Sequence, residues 1–160
     1  MSNGLRQEDP LRRLLEKDAV ITAVNGLFRS VDEKNWPAAK ACLAPRVSVD
    51  FTSVTGGEPQ DTTDAAIVEG WRESLSHLEA VHHQAGNYEV EVHGEEAAAS
   101  CYGTAFHYLP NDTGASTRTF VGTYDIHLQK QRGSWRIDGL RYNLKFQDGN
   151  TDLEGQEGRS

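Results

Sequence analysis

Four side chains in this 160-residue sequence have the types and spacing that proton transfer needs: Asp32, His82, His83 and His107. Asp32 lies four residues beyond Phe28 and next to Val31, near the face of a helical stripe that should be buried. A carboxylate at a helix C-terminus stands at the negative end of the dipole, so a buried Asp32 needs a compensating partner. A histidine is a natural one. The competing position for Asp32 is just past the helix, solvated with Glu33 and Lys34. Neutral imidazole is the side chain best suited to accept a proton near neutral pH. A buried carboxylate beside it fixes the tautomer and stabilises the imidazolium that proton abstraction forms.

The six histidines differ in context. His77 near a helix end, His93 in an "HG" turn, and His127 between Ile126 and Leu128 read as surface residues. His82 and His83 are neighbours on a strand and point to opposite faces. Strict alternation puts His82 with Tyr88, Val90 and Val92, facing inward. A bulge at Gly86 in "HHQAGNYEVEV" would reverse the parity and turn His83 inward instead, and the residues alone leave this choice open. His107 shares a face with Ala97, Ala99, Cys101, Gly103 and Ala105, a row of small side chains that leaves room for a ligand unless helix residues fill it. No pair of histidines has the spacing of a recognised metal-ligand motif, and no metal is expected.

The elements that must position these residues run from helices to strands. Pro10 opens a helix whose apolar stripe is Leu14, Val20, Val24, Leu27, Phe28 and Val31. Asn35 caps a short second helix through "WPAAKACLA". "RVSVDFTS" alternates as a strand, and "VTGGEPQDTT" reads as a loop without regular structure. Thr63 or Asp64 caps a third helix through "AAIVEGWRESLSHL". Strand segments follow in "VHHQAGNYEVEV", "AAASCYGTAFHYL", "TRTFVGTYDIHLQKQ" and "WRIDGLRYNLKF", joined by turns at "HGEE", "PNDTGAS" and "RGS". Helices followed by an antiparallel meander predict an α+β domain with its sheet curved over the helices.

One domain fits the length, spanning 11–146 between a flexible N-terminus (1–10) and a flexible tail (147–160) poor in apolar residues. The 16 Lys and Arg against 24 Asp and Glu give a net charge of -8, which argues against nucleic acid and anionic membrane as partners. No apolar run reaches the roughly 20 residues of a membrane span, and the N-terminus lacks the apolar core of a secretory signal. Cys42 and Cys101 read as reduced thiols of a cytoplasmic protein.

Three stretches resemble the NTF2-like, SnoaL-like superfamily, and within it the scytalone dehydratase branch: "VDEKNWPAAKACLAPRVSVDFTS", "HHQAGNYEVEV" and "GSWRIDGLRYNLKF". The resemblance implies an NTF2-like cone, a curved antiparallel sheet packed on three helices around an apolar cavity. It also implies that the orienting Asp falls on Asp32, its His on His83 and a second active-site His on His107. Two tyrosines that hold a water on the substrate carbonyl in scytalone dehydratase fall on Val31 and Phe51, so that half of the mechanism is missing. An active-site Asn falls near Tyr124.

The function implied is a cofactor-independent lyase or isomerase, dehydratase- or cyclase-like, acting on an apolar cyclic ketone such as a polyketide, aromatic or steroid-like compound. His83, Asp32 and His107 are the expected catalytic residues; Val31, Phe51, Phe106 and Tyr124 are the expected pocket. Two other classes compete: a protein of this fold that binds an apolar small molecule without turning it over, and a small subunit resembling those of ring-hydroxylating dioxygenases. The acid-Arg-acid set of an epoxide hydrolase is not apparent. A homodimer or homotrimer is expected, because one curved sheet leaves an outer face needing cover.

Overall fold

A computed structural model of the chain describes residues 9–155. The first helix, α1 (Pro10–Asp32), starts with Pro10 in its first turn, and the Asp9 carboxylate accepts from the Leu11 N–H. Val20, Val24, Leu27, Phe28 and Val31 are its buried face. Leu14, part of the expected stripe, is instead exposed, as are Leu11 and Leu15. Glu16 ties this half of α1 to the sheet by accepting from Lys130 Nζ (2.6 Å) and Trp135 Nε1 (2.9 Å). The Asn35 side chain caps α2 (Trp36–Ala41), and Thr63 caps α4 (Asp64–Leu75) by accepting from the Ala66 N–H.

Six strands form one curved, unclosed sheet in the order β2-β1-β6-β5-β4-β3. They are β1 (Leu43–Asp50), β2 (Gln60–Thr63), β3 (Ala80–His93), β4 (Glu96–Tyr108), β5 (Thr117–Gln131) and β6 (Ser134–Gly149). The last four are the antiparallel meander read from the sequence. The sheet as a whole is mixed, because β1 lies parallel to β6. "VTGGEPQDTT", expected to be irregular, contributes β2 and part of a helical turn, α3 (Thr52–Thr55). That turn exists because Asp50 Oδ1 accepts from both the N–H and the hydroxyl of Thr52, at 3.0 and 2.6 Å. Ser53 then pins it to β6 by donating to Tyr142 O and accepting from the Leu144 N–H.

The core lies between the helices and the concave face, and apolar burial there supplies the main driving force. The domain boundary drawn at residue 146 falls inside β6, which continues to Gly149. Gly149 adopts φ 81°, where a Cβ would collide with Thr117 O. The chain turns there, and Leu153 beyond it is fully buried. Residues 1–8 and 156–160, expected to be flexible, lie outside the described residues. No helix among the described residues is long and apolar enough to cross a membrane.

Candidate active site

Asp32 is the last residue of α1, and the structure brings it against β3. Its Oδ2 accepts from the backbone N–H of His83 at 2.9 Å, and its Oδ1 lies 2.6 Å from His83 Nδ1. Both side chains are largely buried, 16% and 14% exposed, so the contact is not a solvated surface pair. A carboxylate only accepts, so in the neutral imidazole Nδ1 carries the hydrogen and Nε2 the lone pair. Asp32 is therefore not loose beside Glu33 and Lys34; His83 is the partner that its place at the helix end required.

The bulge decides which histidine faces in. The β3–β4 register slips between Gly86 and Glu89, where β3 carries one residue more than β4. The residue with left-handed backbone is Asn87 (φ 55°), not Gly86. Upstream of the slip, Val81, His83 and Ala85 share the inner face; downstream, Tyr88, Val90 and Val92 do. His82 is exposed on the other side, its ring 6.3 Å from that of Phe106. Phe106, expected in the pocket, is thus on the outer face: its neighbour His107 points in, and alternation sends Phe106 out.

The concave face holds an apolar cavity of about 270 Å³. Phe28 and Val31 from α1, Phe51 and Val54 near α3, Trp71 and Leu75 from α4, and Phe120, Tyr124 and Tyr142 from the sheet contribute to its wall. His83 and His107 both open onto it, as does Ala105 between them. Its exposed lining residues, Thr55 and Ser74, mark the opening between α3 and α4. Of the four residues expected in a substrate pocket, Val31, Phe51 and Tyr124 line this cavity. Phe28, Trp71 and Tyr142 were missed, although Phe28 was legible as the residue one helical turn before Asp32.

Most of the small-residue row does not serve the cavity. Ala97, Ala99 and Cys101 are buried in the core, and of this row Ala105 and His107 line the cavity. Gly103 has a specific use: the Tyr124 ring lies where its Cβ would be. Tyr124 packs in turn on Phe28 (4.8 Å between centroids) and Tyr142 (4.6 Å), and Phe28 stacks on the His83 ring at 5.4 Å and 15°. His83 is thereby held at the Nδ1 edge of its ring by a carboxylate and on one face by an aromatic ring. Burial pushes the Tyr124 hydroxyl well above the ordinary phenol range, so it is a neutral donor.

His107 has a different partner. Arg118, directly opposite it on β5, places Nη2 at 3.0 Å from His107 Nδ1. A guanidinium only donates, so here Nδ1 is the acceptor and the hydrogen sits on Nε2. Burial, then the Arg118 cation, lower His107 to about 4. Glu154 closes the chain of contacts, accepting from Arg118 Nη1 and Nη2 at 2.6 Å each. Neither Arg118 nor Glu154 was singled out in the sequence. Among the described residues no group of three His, Cys, Asp or Glu side chains is arranged to hold a metal. His127 is exposed, paired with Asp138; His77 and His93 are also at the surface.

The model of the SnoaL-like domain matches residues 12–141. The chain belongs to the SnoaL-like family. The match spans α1 to β6 and so includes Asp32, His83 and His107 alike. No curated protein matches. Among solved structures, the SnoaL-like chain is similar to the Kfla4162 protein of Kribbella flavida (TM-score 0.84, 21% identity, 88% of this chain and 97% of that one). It is also similar to a candidate scytalone dehydratase of Novosphingobium aromaticivorans (TM-score 0.75, 14% identity, 85% and 88%). A third is the hexachlorocyclohexane dehydrochlorinase LinA-type3 of Novosphingobium barchaimii (TM-score 0.71, 13% identity, 90% and 96%). At such identities the shared property is the fold.

Proposed function

We propose that this SnoaL-like protein is a cofactor-independent lyase or isomerase that removes a proton next to the carbonyl of an apolar cyclic ketone. One observation carries the reading: the 2.6 Å Asp32–His83 contact, which leaves the lone pair of Nε2 for an apolar cavity. His83 is the general base. Asp32 orients it and balances the imidazolium, and the stacked Phe28 face favours that cation as well. The C–H electron pair moves into the carbonyl to give an enolate. If a hydroxyl sits on the next carbon, it departs with the proton returned by His83, and water and an enone result. If instead a C=C lies β,γ to the carbonyl, the dienolate takes the proton back from His83 at the γ-carbon and the ketone is isomerised. If a second carbonyl of the ligand is within reach, the enolate carbon bonds to it, the proton goes to the new alkoxide and a ring closes. Acid–base assistance of this kind contributes roughly 10²–10⁴ in rate, and orientation within the cavity supplies the rest. An apolar cavity of about 150 Å³ holds benzene, so the space here suits a ligand of one or two fused rings.

The test is a panel of cyclic β-hydroxy ketones and ketones with one or two rings. Dehydration is followed by the absorbance of the conjugated enone and isomerisation by product analysis. Turnover by the native protein that is lost in both His83→Ala and Asp32→Ala supports the reading. Full activity in either variant contradicts it. A ligand that binds and is recovered unchanged after long incubation moves the assignment to a binding protein.

A further inference from the structure

The two cavity histidines are held in opposite tautomers, and the difference comes from what stands behind each ring. Asp32 can only accept, which leaves His83 Nε2 as an acceptor; Arg118 can only donate, which leaves His107 Nε2 as a donor. The two residues are close in the sheet. His83 pairs with Ala105, and His107 follows Ala105 by two residues on the same face, a diagonal neighbour at about 7–8 Å between backbones.

Arg118 is placed for more than charge pairing. It is 13% exposed, its Nε is buried without a hydrogen-bond partner, and its guanidinium lies 5.5 Å from the centroid of Phe120, a cavity residue. A buried donor left unpaired is costly, and the geometry that Nη1 and Nη2 achieve is what the fold keeps instead. Glu154 neutralises the cation from the segment that Gly149 turns and buried Leu153 anchors.

We infer that Arg118, braced by Glu154, is a positioning residue that holds His107 as a neutral hydrogen-bond donor, its Nε2–H serving the carbonyl oxygen of the ligand. This rests on the proposed proton abstraction and adds its other half: as His83 takes the proton, charge develops on the oxygen and His107 stabilises it without transferring a proton. It also narrows the ligand class. With the Arg118 charge spent on Glu154, the cavity offers donors and, among the described residues, no free cation, which suits an uncharged ketone and disfavours a carboxylate. The charged and titratable groups facing His107 are Arg118 on β5, His83 on β3, Glu154 and His77.

Ring-nitrogen NMR on ¹⁵N-labelled, ligand-free protein tests this separately from any turnover. In the native protein at pH 7, His107 should be protonated on Nε2 and bare on Nδ1, and should stay neutral at pH 5. Arg118→Met should mix its tautomers and raise its titration point, while Arg118→Gln, which keeps an N–H donor, should retain the Nε2–H form. Adding 1-tetralone should shift the His107 Nε2 signal, and 1-naphthoate should not. A native His107 protonated on Nδ1, or an unchanged tautomer in folded Arg118→Met, overturns the positioning role. If Arg118→Met does not fold, the native spectrum alone decides. An unmoved Nε2 signal with tetralone, or an equal response to naphthoate, overturns the carbonyl assignment. A protein that passes these tests yet turns nothing over would refute the proton abstraction alone.

Discussion

Asp32 grips His83 at two points, accepting the backbone N–H with one carboxylate oxygen and meeting ring Nδ1 with the other. The backbone N–H can donate and do nothing else, so it claims an acceptor whatever occupies position 32. The imidazole is the flexible partner, because it can exchange tautomers. This asymmetry fixes the outcome of an isosteric change. In Asp32→Asn the amide oxygen should stay on the His83 N–H, and the amide NH₂ should face Nδ1. His83 would then carry its hydrogen on Nε2, and the base would be lost with the shape of the site intact. Ring-nitrogen NMR of the variant should report Nε2–H for His83, against Nδ1–H in the native protein.

Gly103 gives a second prediction. The Tyr124 ring occupies the volume of a Cβ at position 103 and is flanked by Phe28 and Tyr142, so it has nowhere to retreat. Gly103→Val should overpack the site at a cost of about 1–3 kcal/mol. Urea unfolding measures the cost, and displacement of an apolar fluorescent ligand measures the accompanying loss of cavity.

The buried end of the chain gives a third. Leu153 is fully buried, and Leu153→Ala should cost about 2–5 kcal/mol if this segment unfolds with the domain. A loss well under 1 kcal/mol in denaturant titrations would mean that residues 150–155 release independently.

The fourth concerns acid. His107 is lowered to about 4 from an ordinary 6.5, so between these values the unfolded chain binds a proton that the folded chain refuses. Stability should therefore fall as pH drops from 6.5 towards 4. Glu154 acts in a different window: lowered to about 2 by Arg118, it contributes stability above its unfolded 4.5 that disappears as pH falls through 2. Tm measured from pH 8 to pH 4 should fall more steeply for the native protein than for His107→Gln, and matching slopes would count against the burial of His107.

The fold was legible where local pattern and tertiary structure agree. The stripe ending at Val31, the caps at Asn35 and Thr63, and the alternation of the last four strands each carry their own signal. The parallel pairing of β1 with β6 carries none, since it joins segments about ninety residues apart and no turn announces it. Likewise α3 depends on one side chain, Asp50, bonding to Thr52 at the end of "RVSVDFTS", a run whose alternation reads as strand to its last residue, whereas β1 stops at Asp50. The choice between His82 and His83 depended on one extra residue in β3, visible as a possibility at Gly86 and realised beside it at Asn87.

Arg118 and Glu154 show the other limit. Arg118 shares the inner face of β5 with Phe120 and Tyr124, so alternation alone could have flagged a cation pointing into a core. Glu154 could not have been found this way. The composition of its segment suggests disorder, and only the turn at Gly149 and the burial of Leu153 bring it to Arg118.

Deuterium exchange at carbon most directly tests the central claim that His83 is a base supported by Asp32. Cyclic ketones of one or two rings would be incubated in D₂O with native protein, His83→Gln and Asp32→Asn, and uptake at the position next to the carbonyl followed by NMR. The expected result is exchange catalysed by the native protein and slowed roughly 10²–10⁴-fold in both variants. Exchange that proceeds equally in all three, or in none while the ketone is demonstrably bound in the cavity, would contradict it.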